Sequence, residues 1–224
     1  MTLSITITII IVTCLVSIAA FSNNRIMNDL MFYPATIKKN NQFYRFFTYG
    51  FIHADYIHLA FNMISLWSFG ELLESDSISV NTGDGQLMTY KGLFGEKGKL
   101  LYLVLYVSAI IVSVIPDYIK HRHNYAYRAL GASGAVSAVI FAAIALEPRE
   151  LELTLFLIPI PIPGYIFALL FVALSTYLAR KGQDNIGHGA HLTGAIYGLV
   201  FTIVVAKLAA DYDVVRGFLD AFRN

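Results

Sequence analysis

Charge is the scarcest feature of this chain. Only 14% of its 224 residues are Asp, Glu, Lys or Arg, against about a quarter in ordinary soluble domains. What charge there is nearly cancels, to a formal net of +1. That excludes both the basic field that draws nucleic acid and the acidic field that draws cationic partners. Cysteine is almost missing: Cys14 stands alone, so there is no intrachain disulfide and no redox framework. Its setting in an apolar run marks it as a packing residue. Disorder is excluded by the opposite excess, since 57% of the residues are apolar or aromatic and the mean hydropathy is +0.62.

Such a chain suits lipid better than water. A membrane-crossing helix needs roughly 20 mainly apolar residues, and six stretches qualify: 2–21, 56–73, 100–116, 129–146, 164–179 and 189–206. The apolar run before Gly164 is broken by Pro159, Pro161 and Pro163, so 153–163 reads as an interfacial connector. The expected architecture is an all-α membrane protein, a six-helix bundle forming one domain over 1–224. A long loop at 22–55 joins its first two helices, and a polar insertion at about 76–92 joins the second and third. The insertion carries a Thr-Gly-Asp-Gly turn at 82–85 that suggests a small hairpin. The first stretch is too long for a signal-peptide core and has no basic residue before it. Lys and Arg are spread almost evenly over the alternate links, so the positive-inside rule does not decide orientation. No internal repeat is evident.

Polar side chains inside lipid are costly and so carry a task or a partner. Four stand out: His58 and Asn62 early in the second stretch, Ser133 early in the fourth and His191 early in the sixth. The second, fourth and sixth helices run the same way, which brings these four to similar depth near one membrane face. His58 and Asn62 are four apart and share a helical face. Ala190, Gly194 and Gly198 form a small-residue series, answered by Gly134, Ala138 and Ala142. Such series let membrane helices touch backbone to backbone. A serine and a histidine held that close make a candidate nucleophile and general base. Ser133 lies in Gly131-Ala132-Ser133-Gly134, where unsatisfied N–H groups at a helix start can face an oxyanion, with His58 and Asn62 as further donors.

Together these motifs resemble the rhomboid family of intramembrane serine proteases, over about residues 44–208. Tyr44-Arg45 is similar to the family's Trp-Arg motif. His53, His58 and Asn62 match its second-helix pattern, Gly131-Ala132-Ser133-Gly134 its nucleophile motif, and His191, Gly194 and Gly198 its sixth-helix pattern. Glu147-Pro148-Arg149 and the alternating prolines resemble a connector of bacterial members. The resemblance implies that Ser133 attacks the scissile carbonyl with His191 as base, and that the Ser133 N–H, His58 and Asn62 hold the oxyanion. It implies no acidic third member, no metal and no cofactor. Substrates would be transmembrane helices cut near the extracytoplasmic surface, with helix five and the link 180–187 as gate and cap. It also implies a cytoplasmic N-terminus and a multi-pass place in a cell membrane, expected to be a bacterial inner membrane. One position departs from the pattern: where the family often has an aromatic packing on the histidine, this chain has Ser137, and Phe141 is the nearest substitute.

The bland readings remain. A membrane serine usually bonds back to a helix carbonyl, and each histidine alone is an interhelical hydrogen-bonding residue. Arg45 reads as a structural group bonding loop carbonyls or snorkelling. A metal reading has His53, His58, His188 and His191 converging on zinc, with no His-Glu-x-x-His to support it. A non-catalytic relative that binds transmembrane clients is the stronger rival, and its usual sign would be a missing serine or histidine. The oligomeric state is not readable.

Overall fold

The computed structural model describes residues 4–76, 78–79, 86–149, 151–155, 158–181 and 187–220. Helix α1 (Ile5–Phe21) is followed by three short helical turns in the first loop, α2 (Asn24–Leu30), α3 (Pro34–Ile37) and α4 (Arg45–Thr48), then a 3-10 turn at Tyr49–Phe51. Next come α5 (Tyr56–Glu74), a two-stranded ribbon of β1 (Ile78–Ser79) and β2 (Gln86–Leu87), and α6 (Tyr90–Phe94). They are followed by α7 (Lys97–Ser113), α8 (Ile115–His121) and α9 (Ser133–Leu146). A second antiparallel ribbon, β3 (Glu152–Leu155) with β4 (Ile158–Pro163), leads into α10 (Gly164–Lys181), α11 (His188–Ala210) and α12 (Val214–Asp220).

Among the described residues, two helical stretches are by length and composition long and apolar enough to cross a membrane: Lys97–His121, which joins α7 and α8, and His188–Ala210. Ile5–Phe21, Ser133–Leu146 and Gly164–Ala179 are shorter apolar helices. The outer surface is apolar, with Ile57, Ile64, Trp67, Leu169, Leu174 and Leu208 all exposed. So much uncovered apolar surface on several helices calls for a covering phase other than water.

Three expectations need correction. The chain is mostly helical but not all-α, because both connectors form β-ribbons. The fourth helix starts at Ser133, not at Ala129. The reason is tertiary: the Ala129 N–H donates to the Phe32 carbonyl (3.1 Å), Gly131 N–H to the Tyr49 carbonyl (3.0 Å) and Ala132 N–H to His53 Nε2 (3.4 Å). Donors drawn sideways in this way are not free to start a helix. The link after 116 is likewise helical, and the break falls earlier, at Val114 (φ −99°, ψ 1°). Pro116 lacks the N–H that an unbroken α7 would need there. The polar insertion forms a short antiparallel ribbon, as a small hairpin would. It then enters α6 at Tyr90, whose first turn Thr89 caps through Gly92 N–H. The turn at 82–85 and most of the link 180–187 lie outside the described residues.

The connector 153–163 pairs Leu153 with Ile162 and Glu152 with Pro163. Its prolines fall at alternate positions, so their missing N–H groups share one strand edge and leave the other free to pair. The ribbon then anchors the start of α10, whose Gly164 and Tyr165 N–H groups reach the Leu151 and Pro148 carbonyls, each at 2.8 Å.

Helix α1 begins against the far end of α5. Buried Glu74 accepts from the Ile5 and Thr6 N–H groups at 2.7 and 2.9 Å. These are orphan donors of a helix start, where negative charge is also favoured by the macrodipole. Charge-assisted bonds of this kind contribute about 1.5–3 kcal/mol. Glu74→Ala is therefore expected to lower stability by about that amount, and Glu74→Gln by less, since its amide oxygen still accepts. Thermal unfolding in detergent measures both.

Candidate active site

The start of α5, the start of α9 and the start of α11 border one cavity of about 1140 Å³, lined among others by His58, Asn62, Ser133 and His191. Leu178 and Ala179 at the end of α10 and the 126–131 segment complete parts of its wall.

Helices α9 and α11 meet backbone to backbone. A Cβ added at Gly194 would run into the Gly134 carbonyl oxygen, and one at Gly198 into that of Ala138. That approach brings Ser133 Oγ to 2.6 Å from His191 Nε2. The pair is partly buried, and the His191 ring stands edge-on to His188 with centroids 5.9 Å apart. His191 Nδ1 has no hydrogen-bond partner among the described residues. Phe141 does not reach the histidine: it packs on Phe171 of α10, with centroids 5.2 Å apart. Ser137 is buried in the small-residue face of α9, so the ring beside His191 is His188 and not a residue of α9.

Ser133 is the first residue of α9, and Ala132 before it provides no side-chain cap. With the Gly131 and Ala132 N–H groups turned toward Tyr49 and His53, the N–H groups of Ser133 and Gly134 are left without partners among the described residues. Gly131 has φ +110°, and a side chain there would strike the His58 ring, whose Cε1 lies 2.8 Å from the site of an added Cβ. Only glycine serves both requirements.

His58 and Asn62 lie on the same cavity wall, but Asn62 is partly occupied. Its Nδ2 donates to the His58 carbonyl at 2.9 Å, which leaves one amide hydrogen. His58 Nδ1 faces the Ala54 N–H at 3.4 Å. Asp55 caps α5 by accepting from His58 N–H at 2.7 Å, which fixes where the helix begins.

His53 and Arg45 are structural neighbours of the cavity and not part of its lining. Buried Arg45 donates to the Asn28 and Met31 carbonyls (2.9 and 2.7 Å) and to Gln42 Oε1 (2.8 Å), closing the first loop on itself. His53 lies fully buried between Ser17 and Ala132, edge-on to His58 at 5.0 Å. Burial, reinforced by the neighbouring His58, pushes its imidazole down to about 3, with Asp55 pulling weakly the other way. The unfolded chain therefore takes up a proton at His53 near pH 6.5 that the folded chain refuses until about pH 3. Stability should fall as pH falls through that window. The wild type is expected to lose thermal stability between pH 6.5 and 4 more steeply than His53→Gln, when both are followed by unfolding in detergent.

Among the described residues, no three or more His, Cys, Asp or Glu are grouped to hold a metal ion. The four-histidine set of the metal reading is divided: His53 bonds Ser17 and Ala132, and His188 packs beside His191.

Several residues at the site had no signal in the sequence. Tyr49 supplies the carbonyl for Gly131, while its hydroxyl donates to the Ile110 carbonyl at 2.6 Å. Asp117 on the cavity wall accepts from Tyr127 OH at 2.8 Å, and His121 stacks on that tyrosine at 3.8 Å. Ser17 was one hydroxyl in a long apolar run. Only knowledge of what α1 packs against singles it out.

Known proteins are similar to this chain. The Rhomboid domain family matches residues 40–208. The chain belongs to the rhomboid family. Three relatives show its range. RHOMBOID-like protein 12, mitochondrial, of Arabidopsis thaliana is 30% identical over 176 residues, covering 78% of this chain and 50% of the relative. Rhomboid protease GlpG of Haemophilus influenzae is 24% identical over 180 residues, covering 80% and 78%. The human presenilin-associated rhomboid-like protein, mitochondrial, is 29% identical over 155 residues, covering 66% and 34%. This rhomboid thus spans about half the length of the plant relative and a third of the human one. One relative is named a protease and two are named rhomboid-like. Because two of the three carry mitochondrial names, a bacterial inner membrane is not supported for this rhomboid; membership of a membrane-protein family is.

Proposed function

We infer that this rhomboid is an intramembrane serine protease that cleaves transmembrane helices of membrane-protein substrates near one membrane surface. The observation that carries the reading is the 2.6 Å approach of Ser133 Oγ to His191 Nε2 beside unpaired helix-start N–H groups in one cavity. Ser133 attacks the scissile carbonyl while His191 Nε2 takes its proton. The Ser133 N–H, the His58 ring N–H and the free Asn62 amide hydrogen hold the oxyanion. His191 then returns the proton to the leaving amine, and water resolves the acyl-enzyme by the same base.

On this reading the whole of 1–224 is one domain, and α1, α5, α7, α9, α10 and α11 cross the bilayer with the N-terminus cytoplasmic. Helix α9 has 14 residues, which at a 1.5 Å rise is about 21 Å. That is short of the roughly 30 Å hydrocarbon thickness, so Ser133 lies below one surface with water reaching it through the cavity. Helix α10 is the lateral edge past which a substrate helix enters: its start is tied to the connector, while its end borders the cavity.

The test is co-reconstitution of the purified protein with single-span substrates in liposomes. A discrete cut within or near the span that is unaffected by chelator, and lost on Ser133→Ala, supports the reading. Binding of the substrate without any cut favours the client-binding rival, and loss in chelator with recovery on zinc favours a metal protease.

A further inference from the structure

The residue that completes the site from furthest away is a serine on the first helix. Ser17 is fully buried on α1. Its hydroxyl donates to the Phe51 carbonyl at 2.9 Å, and its oxygen lies 3.0 Å from His53 Nδ1. A serine hydroxyl has one hydrogen. With that hydrogen given to Phe51, Ser17 Oγ only accepts from the ring, so His53 carries its proton on Nδ1 and presents a bare Nε2. That Nε2 faces the Ala132 N–H at 3.4 Å, one residue before Ser133.

We propose that Ser17 is a positioning residue for the oxyanion site, acting by locking the tautomer of His53. The proposal rests on the serine-protease reading given above. The other tautomer places an N–H at Nε2, donor against donor, and pushes the Ala132 peptide away from His53. Gly131 N–H is held by the Tyr49 carbonyl at 3.0 Å and the Ala132 carbonyl by Val136 N–H at 2.9 Å, so the segment 131–132 then loses one of three anchors, the one that sets the direction of the Ala132 N–H. The next N–H in the chain is that of Ser133, the donor assigned to the oxyanion, so a rotated Ala132–Ser133 peptide misdirects it. Ser17 touches neither Ser133 nor His191. Its effect passes along α1, the Phe51–His53 segment and the Ala132 peptide, with a hydrogen bond at each join.

The arrangement also explains two features left over from the fold. A helix otherwise suited to lipid buries a hydroxyl where an alanine would pack. And His53, held neutral by burial, is used as an acceptor, a role that the protonated ring cannot fill.

The experiment uses the full chain with histidine labelled by nitrogen-15, in detergent, together with steady-state cleavage by the same samples. In the wild type, His53 is expected to show Nδ1 protonated and Nε2 bare. Ser17→Ala should show both tautomers and a kcat about tenfold lower with KM within twofold, the pattern of a misdirected transition-state donor. Ser17→Thr, which keeps the hydroxyl, should retain the wild-type tautomer and rate. It also serves if Ser17→Ala fails to fold. His53→Gln, whose amide oxygen still accepts from Ala132, should recover part of the rate lost in His53→Ala. A single unchanged His53 tautomer in Ser17→Ala, or an unchanged kcat, overturns the proposal. An inactive wild type overturns the protease reading instead, and the tautomer measurement stands without it.

Discussion

Ser133→Ala and His191→Ala are each expected to lower kcat by about 10⁴- to 10⁶-fold, the scale on which members of one catalytic unit act. Neither change should alter the fold. Ser133 sits at the first position of α9, where alanine is tolerated, and among the described residues the one side-chain hydrogen bond lost is that to His191. The reason for so large an effect is chemical. A serine hydroxyl is a weak nucleophile until a base takes its proton, and within reach of Ser133 Oγ the base is His191 Nε2 at 2.6 Å. The two act as one unit, so the double variant should be no slower than either single one. Rates on reconstituted substrate, with thermal unfolding as the control for folding, check this. A double variant much slower than both singles would mean that the two residues act separately.

The second large effect is structural. Gly194→Ala is expected to cost about 1–3 kcal/mol, the range for forced overpacking, and to reduce activity by about 10²-fold, the scale of a 1 Å misplacement. The added Cβ meets the Gly134 carbonyl oxygen, which is backbone and cannot swing aside. The helices must separate, and the Ser133–His191 distance opens with them. Gly198→Ala meets the Ala138 carbonyl one turn further along. It should cost similar stability but less activity, because the displaced contact lies further from Ser133. Unfolding and cleavage measured on both variants separate the two effects. Equal activity loss would show that distance from Ser133 is irrelevant.

Much of this arrangement was legible in residue spacing. Small residues four apart at 134, 138, 190, 194 and 198 say that two helices can touch, and they do so at Gly194 on Gly134 and Gly198 on Ala138. Apolar runs bounded by charge or proline located α1, α5, α10 and α11 to within a few residues. What was not legible depends on partners far away in sequence. Ala129–Ala132 is as apolar as a helix, yet its N–H groups are drawn off by Phe32, Tyr49 and His53. Nothing local in the sequence marks Tyr90 and Tyr102 as buried, because the Thr202 and Thr6 hydroxyls that satisfy theirs, at 2.7 and 3.0 Å, come from far along the chain. The resemblance places the ring that supports His191 on α9. It comes instead from His188, one turn back on the same helix. The β3–β4 ribbon hides because strands of four and six residues, one of them carrying three prolines, give no period that stands out from a loop.

The most direct test of the central claim is covalent. A small fluorophosphonate reacts with a serine whose proton is taken by a neighbouring base: the Oγ–P bond forms, fluoride leaves and the proton passes to the histidine. Intact-mass analysis of the protein in detergent should show one adduct per chain, mapped to Ser133, absent in Ser133→Ala and strongly slowed in His191→Ala. No adduct at Ser133, or labelling of His191→Ala as fast as the wild type, would contradict the account.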